Sequence, residues 1–141
     1  MKELNKADVK AFVMAGNAIV TLQSGKTGKH YTYKITRCKD DSSLYFIRHL
    51  VGPDNTKDYR YIGCYYADSQ YLHLAMPWRG YNTDLCPGSI RAIDYLFKHL
   101  DNLPDNLHVY HEGRCGRCGR LLTTPESIER GLGPECYKYG G

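Results

Sequence analysis

No stretch of this chain approaches the roughly 18 consecutive apolar residues that a membrane-spanning helix needs. The opening MKELNKADVK also lacks the apolar core of a secretory leader. The expectation is a soluble, cytoplasmic protein with no membrane partner. Catalytic signatures are scarce as well: there is no Ser-His-Asp order, hydrolase elbow or H-E-x-x-H. Gly25-Lys26-Thr27-Gly28 contains the Lys-Thr of a phosphate loop, but the upstream glycine is missing at the required spacing and a strand follows where a helix should begin. It reads as a hairpin turn. A zinc deaminase needs H-x-E well upstream of P-C-x-x-C, and neither arrangement is present. His30, His49, His73, His99 and His108 are scattered and read as surface or packing residues. The reading leans away from an enzyme. Phenylalanine (3) and tryptophan (1) are rare against 13 tyrosines. An aromatic complement made almost wholly of amphipathic rings favours a recognition surface over a mere core.

What the chain does have is concentrated near its end. In HEGRCGRCGRLLTTPESIERGLGPEC the spacing is His111-x3-Cys115-x2-Cys118-x17-Cys136. Zn²⁺ prefers four soft or borderline ligands in a tetrahedron, and a Cys-x2-Cys turn supplies two thiolates from one tight loop. Gly116 and Gly119 flank the second thiolate, where a knuckle needs residues that tolerate positive φ. Gly131-Leu132-Gly133-Pro134 ends a helix and turns the chain back, so that Cys136 can meet the other two. His111 is the nearest candidate for the fourth ligand and closes the shell as a structural site. The alternative is a surface histidine beside a site completed by another residue. Six cysteines could suggest disulfides, but three of them fall in metal spacing while Cys38, Cys64 and Cys86 are scattered, so bound zinc in a reducing compartment fits better. Those three read as buried or idle thiols.

The run HEGRCGRCGRLLTTPESIERGLGPEC resembles the C-terminal signature of an uncharacterised family encoded by phages and mobile elements, in which a short zinc-binding segment follows a small β-rich region. The upstream segments AGNAIVTLQSGKTGKHYTYKI, GPDNTKDYRYIG and SIRAIDYLFKHL are similar to what precedes that signature. The resemblance implies the metal site and the architecture. It brings no biochemical activity with it.

The length of 141 residues suits about one domain, with a metal-held module appended. We expect a β-rich domain over residues 1–110 and a zinc-binding module over residues 111–141. Val9, Phe12 and Val13 have helical spacing near the N-terminus. Strands are expected at Ala18 to Leu22, His30 to Arg37, Leu44 to Val51, Tyr59 to Tyr66 and Gln70 to Ala75, with a brief return at Leu107 to Tyr110. A loop follows from Met76 to Gly88. Ser89 can then cap a helix whose stripe of Ile90, Ile93, Leu96, Phe97 and Leu100 must lie on the sheet. Thr124-Pro125-Glu126 starts a helix and Gly131 stops it. The fold class is α+β: a twisted antiparallel sheet of about five strands packed by one helix, then the metal module.

The formal charge of +4 is too small to demand nucleic acid, and zinc on three thiolates lowers it by one. Its distribution is more suggestive. Arg114, Arg117 and Arg120 recur at every third position around the knuckle and suit phosphate, while Tyr31, Tyr33, Tyr59 and Tyr61 in the strands suit stacking on unpaired bases. Lys34 and Arg60 lie in the same strands and can track a backbone. Against this, half of those tyrosines can supply core volume and the arginines can pair with Glu112, Glu126 and Glu129. The leading expectation is a non-catalytic zinc protein that binds DNA or RNA. The competing one is a protein-binding inhibitor or modulator of a host defence or transcription complex, anchored by Tyr65, Tyr66, Trp78, Arg79 and Tyr81.

Overall fold

Alternation along His30–Arg37 (β3) organises the molecule: Tyr33 and Ile35 are buried, while Thr32, Lys34 and Thr36 stand half-exposed on the other face. In the computed structural model, which describes residues 1–54, 56–74 and 87–138, β3 is the middle strand of a seven-stranded antiparallel sheet. The other strands are β1 (Lys2–Glu3), β2 (Asn17–Ser24), β4 (Leu44–Leu50), β5 (Tyr59–Tyr66), β6 (Tyr71–Leu74) and β7 (Leu107–His111). Their order is β1-β7-β2-β3-β4-β5-β6. Strands β2 to β6 are therefore a meander, and β7 returns to the far side to lie between β2 and β1. The expected five strands become seven because β7 pairs along all of its length with β2, and the two-residue β1, too short to show a period, adds the edge.

The turn after β2 confirms the hairpin reading of Gly25 to Gly28. Ser24 N–H donates to the Lys29 carbonyl at 3.0 Å, Gly28 N–H donates to the Ser24 carbonyl at 2.9 Å, and Gly28 takes the positive φ of 73° that closes the turn. In the chain the turn leads into a strand, β3, where a phosphate loop leads into a helix.

One face of the sheet carries the core. Val20, Leu22, Tyr33, Ile35, Ile47 and Ile62 pack against Ile90, Ile93, Leu96 and Phe97 of α2 (Pro87–Lys98) and against Val9, Phe12 and Val13 of α1 (Lys6–Val13). The α+β class is as expected, with α1 sharing the covering role. Helix α2 begins at Pro87, a residue suited to the first helical position, so Ser89 is not its cap. Ser89 is instead fully buried, and its carbonyl accepts the Tyr33 hydroxyl at 2.5 Å. That bond lets a tyrosine lie in the core with its polar end satisfied.

The C-terminal segment adds α3 (Pro125–Arg130) and α4 (Pro134–Lys138) and forms a second small cluster: Ala15, Cys115, Leu122 and Leu132, with Ala11, Ile128 and Cys136 against it. Ala11 lies in α1 and Ala15 two residues past its end. The segment is thus seated on the first helix. Asn17 N–H, at the start of β2, ties it down by donating to the Gly116 carbonyl at 2.7 Å. Cys64 is buried and Cys38 half-buried as free thiols, while Cys86 lies outside the described residues.

Candidate metal centre

Three local devices bring the thiols together. Around the knuckle, Gly119 N–H donates to the Cys115 carbonyl at 2.9 Å, and Gly119 adopts a φ of 78° that few other residues accept. Gly116 acts differently from expectation. Its φ is not positive, and it is small because the knuckle lies on Phe12, where a Cβ would fall 2.5 Å from a ring carbon. Downstream, Thr124 caps α3 by accepting from Ser127 N–H at 3.3 Å, Pro125 begins the helix, and Gly131 ends it at a φ of 77° with its N–H on the Ser127 carbonyl at 2.8 Å. The chain then turns through Gly133 into α4, which carries Cys136.

The sulfur atoms of Cys115, Cys118 and Cys136 consequently lie within 4.8 Å of one another, a group that can hold a metal ion. Cys115 forms the floor: it is buried, and Arg117 and Gly133 each direct a backbone N–H at its sulfur from 3.4 Å. Burial works against ionisation of Cys115, but N–H donors around the sulfur outweigh it and bring the thiol down to about 7. Cys136 is pushed up to about 12, by burial first and then by the two neighbouring sulfurs. Three thiols this close cannot all ionise by themselves. A divalent cation reverses that repulsion and stabilises all three thiolates, which is the chemistry expected of this donor set.

His111 is not among them. It is the last residue of β7 and points to the covered face, 1% exposed beside Phe12 at a ring separation of 5.6 Å. Its Nε2 donates to the Ile128 carbonyl at 2.5 Å, and its Nδ1 accepts from Gly113 N–H at 2.9 Å. A single neutral tautomer satisfies both bonds. Burial also holds the imidazole below its ordinary pKa, with the Ile128 bond working the other way. His111 is therefore a neutral latch between the sheet and α3. Among the described residues no His, Asp, Glu or further Cys joins the three sulfurs.

The residues proposed to meet nucleic acid divide by strand register. Tyr59, Tyr61 and Lys34 share the open face of the sheet: Lys34 lies opposite Arg48, Arg48 opposite Tyr61, and the Lys34 amine stands 6.0 Å from the Tyr59 ring centre. Tyr33 is on the covered face and wholly buried, so it cannot stack on a base. Tyr31 shares its side, packing edge-on against His49 at 6.0 Å. Arg60 pairs across from buried His49, which puts it on the covered side too. Period-two alternation separates Arg60 from its neighbours Tyr59 and Tyr61.

Arg114, Arg117 and Arg120 are all exposed. Arg114 lines a depression with Asn17, Ile19 and Lys34 at the edge of the open face, whereas Arg120 lines a cavity at the three cysteines. Of the alternative anchors, Tyr65 is buried against Phe97 at 4.5 Å, and Tyr66 is 38% exposed on the open face. Trp78, Arg79 and Tyr81 lie outside the described residues. Strand pairing reveals what was missed: Phe46 and Arg48 in β4, and Tyr71 in β6, stand on the open face. Tyr71 is stacked on Tyr66 with ring centres 6.4 Å apart and planes 24° apart.

Residues 105–139 match a family of unknown function (DUF6011). The matched region spans β7 and the metal module, consistent with the uncharacterised family expected from the signature. No curated protein and no solved structure matches the chain. No helix of the described residues is long and apolar enough to cross a membrane.

Proposed function

We propose that Cys115, Cys118 and Cys136 hold one Zn²⁺ and that the protein is a non-catalytic binder of single-stranded nucleic acid. The observation that carries this reading is the open sheet face. Tyr61 (50% exposed), Tyr66 (38%) and Tyr71 (51%) share it with Phe46, Lys34 and Arg48, and the depression at its edge is lined by Arg114. A soluble sheet normally leaves polar side chains on its uncovered face, so a run of half-exposed rings bordered by cations points to flat, anionic ligands. Unpaired bases offer the ring faces, and the phosphates between them suit the cations.

Zinc follows from three thiolates in a Cys-x2-Cys and helix-turn setting. Its task here is to fold the knuckle that presents Arg114 beside Lys34. Glu112 lines the same depression as Arg114 and Lys34 and limits the strength of the contact there.

Fluorescence anisotropy with single- and double-stranded DNA and RNA across a salt series tests the reading. Replacing Lys34, Arg48 and Arg114 together by alanine should flatten the log–log salt slope for single strands by about 2, at about 0.7 per lost phosphate contact. If the native protein binds no probe even at low salt, the reading is wrong, and a host-protein partner, with Tyr66 as an anchor, becomes the better account.

A further inference from the structure

Three thiolates fill three corners of a tetrahedron, and the fourth corner decides whether the site is closed or can accept something from outside. The sequence suggested closure by His111. That histidine spends both ring nitrogens on Gly113 and Ile128, and among the described residues no other side chain of ligating type reaches the sulfurs. All three cysteines instead line one cavity of about 340 Å³, and Cys118 is itself exposed at the surface. The volume far exceeds the ~10–15 Å³ that a single water requires. The rest of the wall includes Leu121, Arg120, Thr123 and Glu135, giving an apolar side, a guanidinium, a hydroxyl and a carboxylate that lies outside the group of three sulfurs.

We infer that the metal held by Cys115, Cys118 and Cys136 keeps its fourth position open to the cavity, with water there at rest and an exogenous nitrogen or sulfur donor able to replace it. The inference rests on the metal reading above and goes beyond it by making the module a ligand-binding site. Zn²⁺ with three thiolates carries a net charge of −1. An imidazole binds through its nitrogen lone pair, displaces the water and leaves that charge unchanged. A thiol must first give its proton to solvent; its sulfur then bonds the metal as the water leaves, and the charge becomes −2. Arg120, on the wall of the cavity, offsets the added charge. Both donors match a borderline-soft ion, and Leu121 offers contact to an apolar substituent.

The test uses full-length protein loaded with Co²⁺ in place of Zn²⁺, titrated separately with imidazole and with 2-mercaptoethanol. Each should shift the d–d bands saturably while cobalt stays bound. The thiolate-to-cobalt charge-transfer intensity should hold constant with imidazole and rise by about one third with thiol, because three sulfur ligands become four. The His111→Ala variant, where it folds, should respond as the native protein does. His111→Gln, which keeps a donor for the Ile128 carbonyl, is the second variant and should do the same.

Unchanged bands at saturating imidazole and thiol would mean that the protein closes the site, and the inference fails while the metal reading stands. A fall in charge-transfer intensity with imidazole would mean a cysteine had been displaced, which also overturns it. Failure to bind cobalt at all would remove the metal reading itself.

Discussion

Replacing His111 by alanine separates a structural latch from a metal ligand. The substitution strips the Ile128 carbonyl and the Gly113 N–H of their partner and leaves a void beside Phe12. Losing the partner of a buried polar group costs about 1–3 kcal/mol, and both groups belong to half-buried residues, so about 1 kcal/mol each is appropriate. Emptying the imidazole volume against an aromatic ring adds about 1–2 kcal/mol. The sum, about 3–4 kcal/mol, should lower the midpoint of thermal unfolding by roughly 10–15 °C for a chain of this size. Circular dichroism melting read together with zinc per chain provides the assay. The latch account expects a large loss of thermal stability with zinc near one per chain at low temperature. An unchanged melting midpoint with zinc lost would refute the reasoning and return His111 to the ligand shell.

Cys118→Ser should lose most of the bound zinc, measured by elemental analysis, because its sulfur is one of only three in the group; full retention would break the assignment. Leu96, wholly buried beneath the sheet, should not tolerate aspartate: Leu96→Asp removes about 2 kcal/mol of apolar burial and adds an unpaired charge, giving an unfolded or aggregated product, whereas a normal melt would place Leu96 elsewhere. Acidification should act through His49 and His111, which burial holds below the ordinary value of 6.5. Their contribution to stability is complete above that value and disappears as pH falls through the lowered folded-state values. Melting midpoints should therefore be flat from about pH 8 to 6.5 and fall below it, and a midpoint that rises on acidification would contradict the sign. Tyr66→Ala with Tyr71→Ala should weaken single-strand affinity by about 1–3 kcal/mol per base that stacks, with little effect on the salt slope; unchanged anisotropy would remove these rings from the interface.

The parts of the fold legible in the sequence were those with a strong local signal. Thr124-Pro125 and Gly131 bounded α3 correctly because capping is decided within a few residues. The first hairpin was legible from alternation in β3 and from the turn at Gly25 to Gly28. Features depending on distant partners were not: β1 is fixed only by pairing with β7, and Gly116 owes its size to Phe12, more than 100 positions earlier. Tyr33 and Tyr59 are the same residue type in neighbouring stretches of sequence, and only strand register tells which one is buried. Alternation alone would have separated Arg60 from Tyr59 and Tyr61 and placed Arg48 on the open face. The register shift opposite Ile47 and Arg48 breaks the period within β5, so that Tyr66 and its partner Tyr71 are placed there only by strand pairing. His111 shows the same dependence on register. Spacing to Cys115 fits a ligand, but its place on the covered side of β7 turns the ring toward Phe12 and Ile128.

X-ray absorption at the zinc edge on the purified protein tests the centre of this account most directly. The prediction is three sulfur ligands at about 2.3 Å and one oxygen at about 2.0–2.2 Å, without the multiple-scattering pattern of imidazole. Four sulfurs, or three sulfurs with an imidazole nitrogen in protein free of added ligands, would contradict it.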